Sequence, residues 1–285
     1  MIHIHNLTFA YPKQVSLFSG LNLTLLPGNI YGLLGKNGAG KTTLLKLITG
    51  LRFPQSGDCR VMNYLPGQRS PKLLRELYFI PEEFSTPNNL TVTEYKKLYA
   101  PFYPRFNDEK FADILHDFDL SAKDRLAALS FGQKKKFLLA FGLATESRLL
   151  ILDEPTNGLD IPAKSRFRKL LAASLSAERT FIISTHQVRD MENLIDPVII
   201  LDAGEIIFQH NLQEVAEHVT VQLQTAEPDP DTVLYSEKVL GGYAVMTPNK
   251  NGSESRIDLE ILFNAVIRNR AKITALFSQE VSDAA

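Results

Sequence analysis

The chain has 285 residues, 44% of them hydrophobic and 22% charged, enough apolar matter for one large core with or without a small appendage. Its 31 Lys and Arg against 32 Asp and Glu leave a net charge of −1, which excludes nucleic-acid binding through a wholly cationic surface. The single cysteine, Cys59, excludes an internal disulfide and a zinc ribbon, and no apolar run approaches the roughly 20 residues of a membrane-spanning helix.

The chain opens with "MIHIHNLTFAYP" and "LFSGLNLTLLPG", which alternate apolar and polar positions and predict antiparallel strands beside the main sheet. The first of these carries neither the basic nor the apolar region of a signal peptide, so a cytoplasmic protein is expected. "NIYGLLG" (29–35), "ELYFIPEE" (76–83), "SRLLILDEP" (147–155), "RTFIISTH" (179–186) and "DPVIILDAGEIIFQ" (196–209) read as strands. Their consecutive apolar positions fit a sheet covered on both faces. A helix from Thr42 to Thr49, closed by Gly50, falls between the first two. The alternation predicts an α/β fold with a mainly parallel central sheet.

From about 85 to 145 no strand is predicted, and the spacing of "EYKKLYAPFYPRFNDEKFADILHDFDL" suggests a helical insertion. "TAEPDPDT" (225–232) is a turn signal, followed by strand-like runs at 233–239 and 242–246. A final helix carries an apolar stripe of Leu259, Leu262, Phe263, Val266, Ile273 and Leu276. A stripe of that width must be buried, on its own strands, on the main body or on a second copy. Residues 1–212 are read as one domain and 213–285 as a small α+β C-terminal domain.

Gly35, Gly40, Lys41 and Thr42 fit G-x-x-x-x-G-K-[ST] between a strand and a helix. Bare backbone N–H groups, including those around Asn37, Gly38 and Thr43, can approach phosphate closely there, and the helix start adds positive potential. Lys41 is expected to neutralise β and γ phosphates and the Thr42 hydroxyl to ligate Mg²⁺. "LLILDEPTNGLD" sets Asp153 and Glu154 at the C-terminal end of a strand, where α/β sheets bind ligands. Asp153 is the expected Mg²⁺ partner, and Glu154 is placed to polarise a water for attack on the γ phosphate.

"LSFGQKKK" (129–136), just before the Asp153 strand, resembles the LSGGQ signature of the ATP-binding cassette, or ABC, family. The resemblance spans about residues 1–210 and implies a P-loop NTPase cassette that binds ATP and Mg²⁺. It makes Tyr11 the adenine-stacking aromatic, Glu82 the Q-loop residue and a metal contact, Asp160 the end of the D-loop, and His186 the switch histidine. It also implies two cassettes packed head to tail, a homodimer here. Ser130, Gly132 and Gln133 of one chain then meet the nucleotide held by Lys41 of the other. Phe131 in place of a signature glycine and Glu82 in place of glutamine depart from the pattern. The run Lys134–Lys136 is read as a solvated face, the alternative being contact with the partner's phosphates or a membrane subunit.

The resemblance implies an ATPase energising a separately encoded membrane permease from the inner face of the cell membrane, in the direction of export, with no nucleic acid as partner. The other use is a soluble ABC ATPase on the ribosome or nucleic acid. Against it stand one phosphate loop, no long coiled coil and no zinc cysteines.

Overall fold

In the computed structural model, residues 1–192, 194–230, 232–249 and 256–278 are described. In chain order these form β1 (Ile2–Ala10), β2 (Ser16–Leu25), β3 (Ile30–Leu34), α1 (Lys41–Ile48), β4 (Ser56–Val61), α2 (Pro71–Leu74) and β5 (Leu77–Ile80). Then come α3 (Val92–Tyr99), α4 (Asp108–Asp117), α5 (Phe131–Ala144), β6 (Leu149–Asp153), α6 (Ile161–Ser174), β7 (Thr180–Thr185), β8 (Val198–Asp202) and β9 (Glu205–His210). The last elements are α7 (Leu212–His218), β10 (Val219–Gln224), β11 (Tyr235–Val239), β12 (Gly242–Pro248), α8 (Leu259–Arg268) and α9 (Arg270–Ser278).

The central sheet has six strands in the order β5-β6-β7-β3-β8-β9, parallel except for β9. In β6, Leu149 and Ile151 face one apolar cluster, shared with α1 and strands β1, β2 and β4, while Leu150 and Leu152 face the other. β8 divides the same way, Ile199 and Leu201 against Val198 and Ile200. Two cores, one on each face, are the physical reason these strands read as continuous apolar runs.

Strands β2-β1-β4 form a separate antiparallel sheet over α1. Cys59 is buried there on β4, and burial pushes its thiol up to about 12. Between 85 and 145 the chain is helical, with Tyr95, Phe106 and Phe111 of α3, α4 and their connection set around Phe141 of α5 at ring distances of 5.1–6.0 Å.

Two predicted elements are divided. The run 196–209 is a hairpin, β8 and β9, turned at Ala203–Gly204, where both φ angles are positive (46° and 80°) and Asp202 pairs with Glu205. The final helix breaks at Asn269 into α8 and α9, where the Asn269 side chain donates to the Leu234 carbonyl at 2.8 Å. The C-terminal sheet, β10-β12-β11, has one strand more than the two runs read from sequence, because "VTVQLQ" pairs with β12 over its whole length. The stripe of α8, Leu259, Leu262 and Val266, is buried within the chain and belongs to the cluster that also holds Tyr235, Met246, Val188 and Met191.

Candidate functional site

The C-terminal ends of β3, β6 and β7 lie side by side, with Leu34 opposite Thr185 and Asp153 opposite Ser184. That register brings the 35–42 loop, the Asp153–Glu154 pair and His186 to one edge of the sheet. They line a polar cavity of about 330 Å³ with Lys36, Asn37, Gly38, Gly40, Lys41, Thr42, Thr43 and Glu82. Gly40 has a φ of 109° and lies on the Phe18 ring, where a Cβ would meet ring carbons at 2.9 Å. Both conditions require glycine.

Lys41 is buried, and its Nζ donates to the carbonyl oxygens of Gly35 (2.6 Å) and Lys36 (3.2 Å), which fixes the ammonium inside the loop it serves. Burial pushes its pKa down, opposed by the negative charges of Glu154, Asp153 and Glu82. The Thr42 hydroxyl donates to Asp153 Oδ2 at 2.7 Å, and the Ser184 hydroxyl donates to Asp153 Oδ1. Asp153 is thus held at both oxygens beside a hydroxyl, a hard oxygen donor set that suits Mg²⁺ completed by phosphate and water.

Glu154 has a left-handed backbone (φ 46°), and its N–H donates to the Ser184 carbonyl at 3.0 Å. Its Oε1 accepts the His186 backbone N–H at 3.0 Å and lies 2.7 Å from His186 Nδ1. Its Oε2 is buried with no hydrogen-bond partner among the described residues. An orphaned carboxylate oxygen costs free energy in the resting protein and suits a group that receives a water at work. Glu82 Oε1 accepts from the Asn157 side chain at 2.9 Å, which ties the 81–84 loop to the segment after Glu154. Tyr11 stands beside the cavity and not in its lining: its hydroxyl is 2.9 Å from Thr43 Oγ1, and the Arg52 guanidinium lies 5.8 Å from its ring centre.

The structure does not bring Ser130, Gly132, Gln133 or Asp160 to this cavity. Ser130 caps α5: its hydroxyl accepts the Gln133 N–H at 3.2 Å while Gln133 Oε1 accepts the Ser130 N–H at 2.9 Å. Gly132 abuts the Gly158 carbonyl so closely that a Cβ would meet it at 2.6 Å. Asp160 caps α6 through the Ala163 N–H (2.7 Å) and accepts from Lys136 at 3.0 Å, and these two contacts lower its pKa. Phe131, 51% exposed, stacks on Phe84 with ring centres 5.2 Å apart.

The lysine run is not a solvated face. Lys135 is fully buried, its Nζ 3.5 Å from the Asp153 carbonyl oxygen and 5.5 Å from the Phe84 ring centre, and burial pushes its pKa down to about 8. Helical geometry explains the difference: Lys135 shares a face with Leu138, Leu139 and Gly142, all buried under the sheet. Of the three only Lys136 has a salt bridge among the described residues, with Asp160.

Ser184 and Asn157 were not singled out from the sequence. A serine inside the otherwise apolar "TFIIST", one position before the strand's end, was the signal for the first. For Asn157 the contact with Glu82 spans 75 positions and left no local trace.

A family profile described as ABC transporter matches residues 18–157. The chain is 30% identical over 212 residues to the linearmycin resistance ATP-binding protein LnrL of Bacillus subtilis, covering 73% of this chain and 68% of that one. It is 33% identical over 231 residues to the bacitracin transport ATP-binding protein BcrA of Bacillus licheniformis, covering 78% and 75%. Among solved structures, an ATP-binding subunit of an ABC transporter superposes with a TM-score of 0.69 at 25% identity, over 75% of this chain and 91% of that one. The ATP-binding cassette MJ0796, in a dimeric post-hydrolysis state bound to ADP and Pi, superposes with a TM-score of 0.65 at 23% identity, over 74% and 99%, a likeness of fold.

Proposed function

The chain belongs to the ABC transporter family of ATP-binding cassettes and is an ATPase, and from that premise we propose that it is the motor subunit of an exporter whose permease is a separate chain. Two copies pair head to tail. Each holds ATP on its own 35–43 loop and receives Ser130, Gly132 and Gln133 of the other on the γ phosphate. Thr42 and Asp153, with Glu82 near them, would hold Mg²⁺, which would supply positive charge to the phosphate oxygens. The described elements from α7 to α9 make a small C-terminal domain around the sheet β10-β12-β11.

The observation that carries the hydrolytic role is the Glu154 carboxylate. His186 fixes one oxygen at 2.7 Å, while the other is buried and unpartnered beside the cavity. An oxygen so placed accepts a proton from a water in line with the γ phosphate, and His186 holds the carboxylate at that angle. Glu154→Gln removes the base and keeps the shape. ATP binding should persist while phosphate release collapses, and wild-type phosphate release would remove Glu154 from the role.

Among the described residues no helix is long and apolar enough to cross a membrane. A groove of about 830 Å³ runs between α2 and the segment after α3, lined by Leu51, Leu74, Phe79, Tyr99, Phe102 and Tyr103 with Arg69, Lys72 and Arg75 at its polar part. Phe102 is 67% exposed and Leu51 45%. An apolar floor with cationic groups suits an amphipathic, acidic cytoplasmic helix of the permease, and this contact holds the motor on the inner face of the membrane. The names of relatives in resistance to linearmycin and transport of bacitracin support export. A cysteine at Phe102 should crosslink to a polytopic membrane protein in native membranes. Capture of ribosomal proteins alone would overturn the permease reading.

A further inference from the structure

Lys135 is the buried cation that the hydrolytic scheme leaves without a task. It leaves α5 at the start of its second turn, five residues after Ser130, and reaches the end of β6. Among the described residues it has no salt bridge, and its one hydrogen bond, to the Asp153 carbonyl, is 3.5 Å long, at the weak end of the range. The other neighbour is the ring of Phe84, two residues beyond Glu82. An ammonium enclosed in this way costs several kcal/mol unless charges nearby offset it. Three carboxylates do so, in decreasing order Asp153, Glu82 and Glu154.

We propose that Lys135 is a positioning residue for ATP hydrolysis, its buried ammonium balancing the Glu82, Asp153 and Glu154 carboxylates from behind the sheet and holding the Glu82 loop against the end of β6. Those carboxylates come together at one strand edge and repel one another. Lys41 faces them from the loop, but it is bonded to the Gly35 and Lys36 carbonyls and turns to phosphate when ATP binds. Lys135 is fully buried and does not line the cavity, so its charge is set apart from the groups that meet phosphate. Phe84 joins the same arrangement from two sides, under the Lys135 ammonium and stacked on Phe131. The helix that offers Ser130 to the partner is therefore fastened, five residues on, to the hydrolytic groups of its own chain.

The inference rests on Glu154 and Glu82 working at the ATP site, and its test separates the two. Lys135→Met keeps length and shape and removes the charge. Because the three carboxylates then lose a balancing charge, the unfolding midpoint of the nucleotide-free protein should fall. Turnover should fall by about tenfold or more with KM for ATP within about threefold, the split expected for a group that acts on the reaction and not on binding. In a Glu82→Gln background, where the charge to be balanced is smaller, the same substitution should cost less than about threefold, the non-additivity of a coupled pair. An equal loss in both backgrounds, or undiminished turnover in Lys135→Met, overturns the proposal. Should Lys135→Met not fold, Lys135→Gln is put through the same comparison. Failure of both to fold shows the ammonium to be structural and overturns it too. Glu154→Gln is the control: if it is inactive while Lys135→Met is fully active, only the Lys135 inference falls.

Discussion

In the proposed head-to-tail pair the phosphate loop and the signature helix would carry the two halves of one nucleotide site, and within the chain they stand in opposite states. Around the loop the groups are engaged within the chain, save Glu154 Oε2: Lys41 with two carbonyls, Thr42 with Asp153, Asp153 with Ser184, Glu154 Oε1 with His186. At the start of α5, Ser130 and Phe131 are exposed, and the serine hydroxyl is occupied only by its own Gln133 N–H. In the proposed pairing this exposed helix N-terminus is half of a site, and among the described residues no segment of the chain supplies the other half. On that reading the first region is finished by folding and the second by association.

Glu154→Gln tests the finished half and should have the largest effect. Loss of a general base costs typically 10²–10⁴-fold in rate, so phosphate release should fall by about that factor while ATP binding is retained. The ATP-bound dimer should then accumulate, read by light scattering. Retained turnover would mean that the His186–Glu154 contact serves structure alone.

The unfinished half is tested by mixing. Lys41→Ala and Ser130→Arg chains should each be inactive. In a one-to-one mixture half of the dimers are heterodimers with one intact composite site of two, which predicts roughly a quarter of wild-type turnover. Heterodimers that form and remain inactive would show that Ser130 serves its own chain.

Truncation after Gln209 sharpens the comparison from the other side of the molecule. Because the α8 stripe is buried within the chain, removal should not change the oligomeric state of the nucleotide-free protein in solution. It should lower the unfolding midpoint, since Val188, Met191 and Phe208 lose apolar cover worth about 1.5–3 kcal/mol each when complete. A shift from dimer to monomer on truncation would instead assign the tail to association.

Much of the finished half was legible because its groups lie in short contiguous stretches at strand ends. Gly35–Thr42 and Asp153–Glu154 each declare their element and their chemistry together. The run of three lysines misled because its composition suggests solvent, while its position on α5, three and four residues before Leu138 and Leu139, sets Lys135 inward. The 196–209 hairpin was hidden because apolar residues flank "DAGE" closely on both sides, and only the turn chemistry of Ala-Gly separates the strands. Glu82 was legible as an acid after β5, but its tie to Asn157 is a tertiary contact that no local pattern encodes.

The smallest expected effect concerns the joint between the two halves. Phe131 is half exposed, yet it stacks on Phe84 at 5.2 Å, and Phe84 in turn lies over the Lys135 ammonium beneath the hydrolytic groups. If this ring pair holds the signature helix to the Glu82 loop, Phe131→Ala and Phe84→Ala remove the same contact. Their combined cost should then be less than the sum of the single costs by about 0.5–1.5 kcal/mol, the worth of an aromatic pair beyond its burial. Phe131→Ala alone should lower the unfolding midpoint by only about 2–4 °C in a chain of this size. Additivity within about 0.3–0.5 kcal/mol, measured by denaturant unfolding of the four chains, would mean the rings are neighbours without coupling. The signature helix would then be tied to the hydrolytic end of β6 and the segment after it through Lys135, the Lys136–Asp160 ion pair and the Gly132–Gly158 backbone contact.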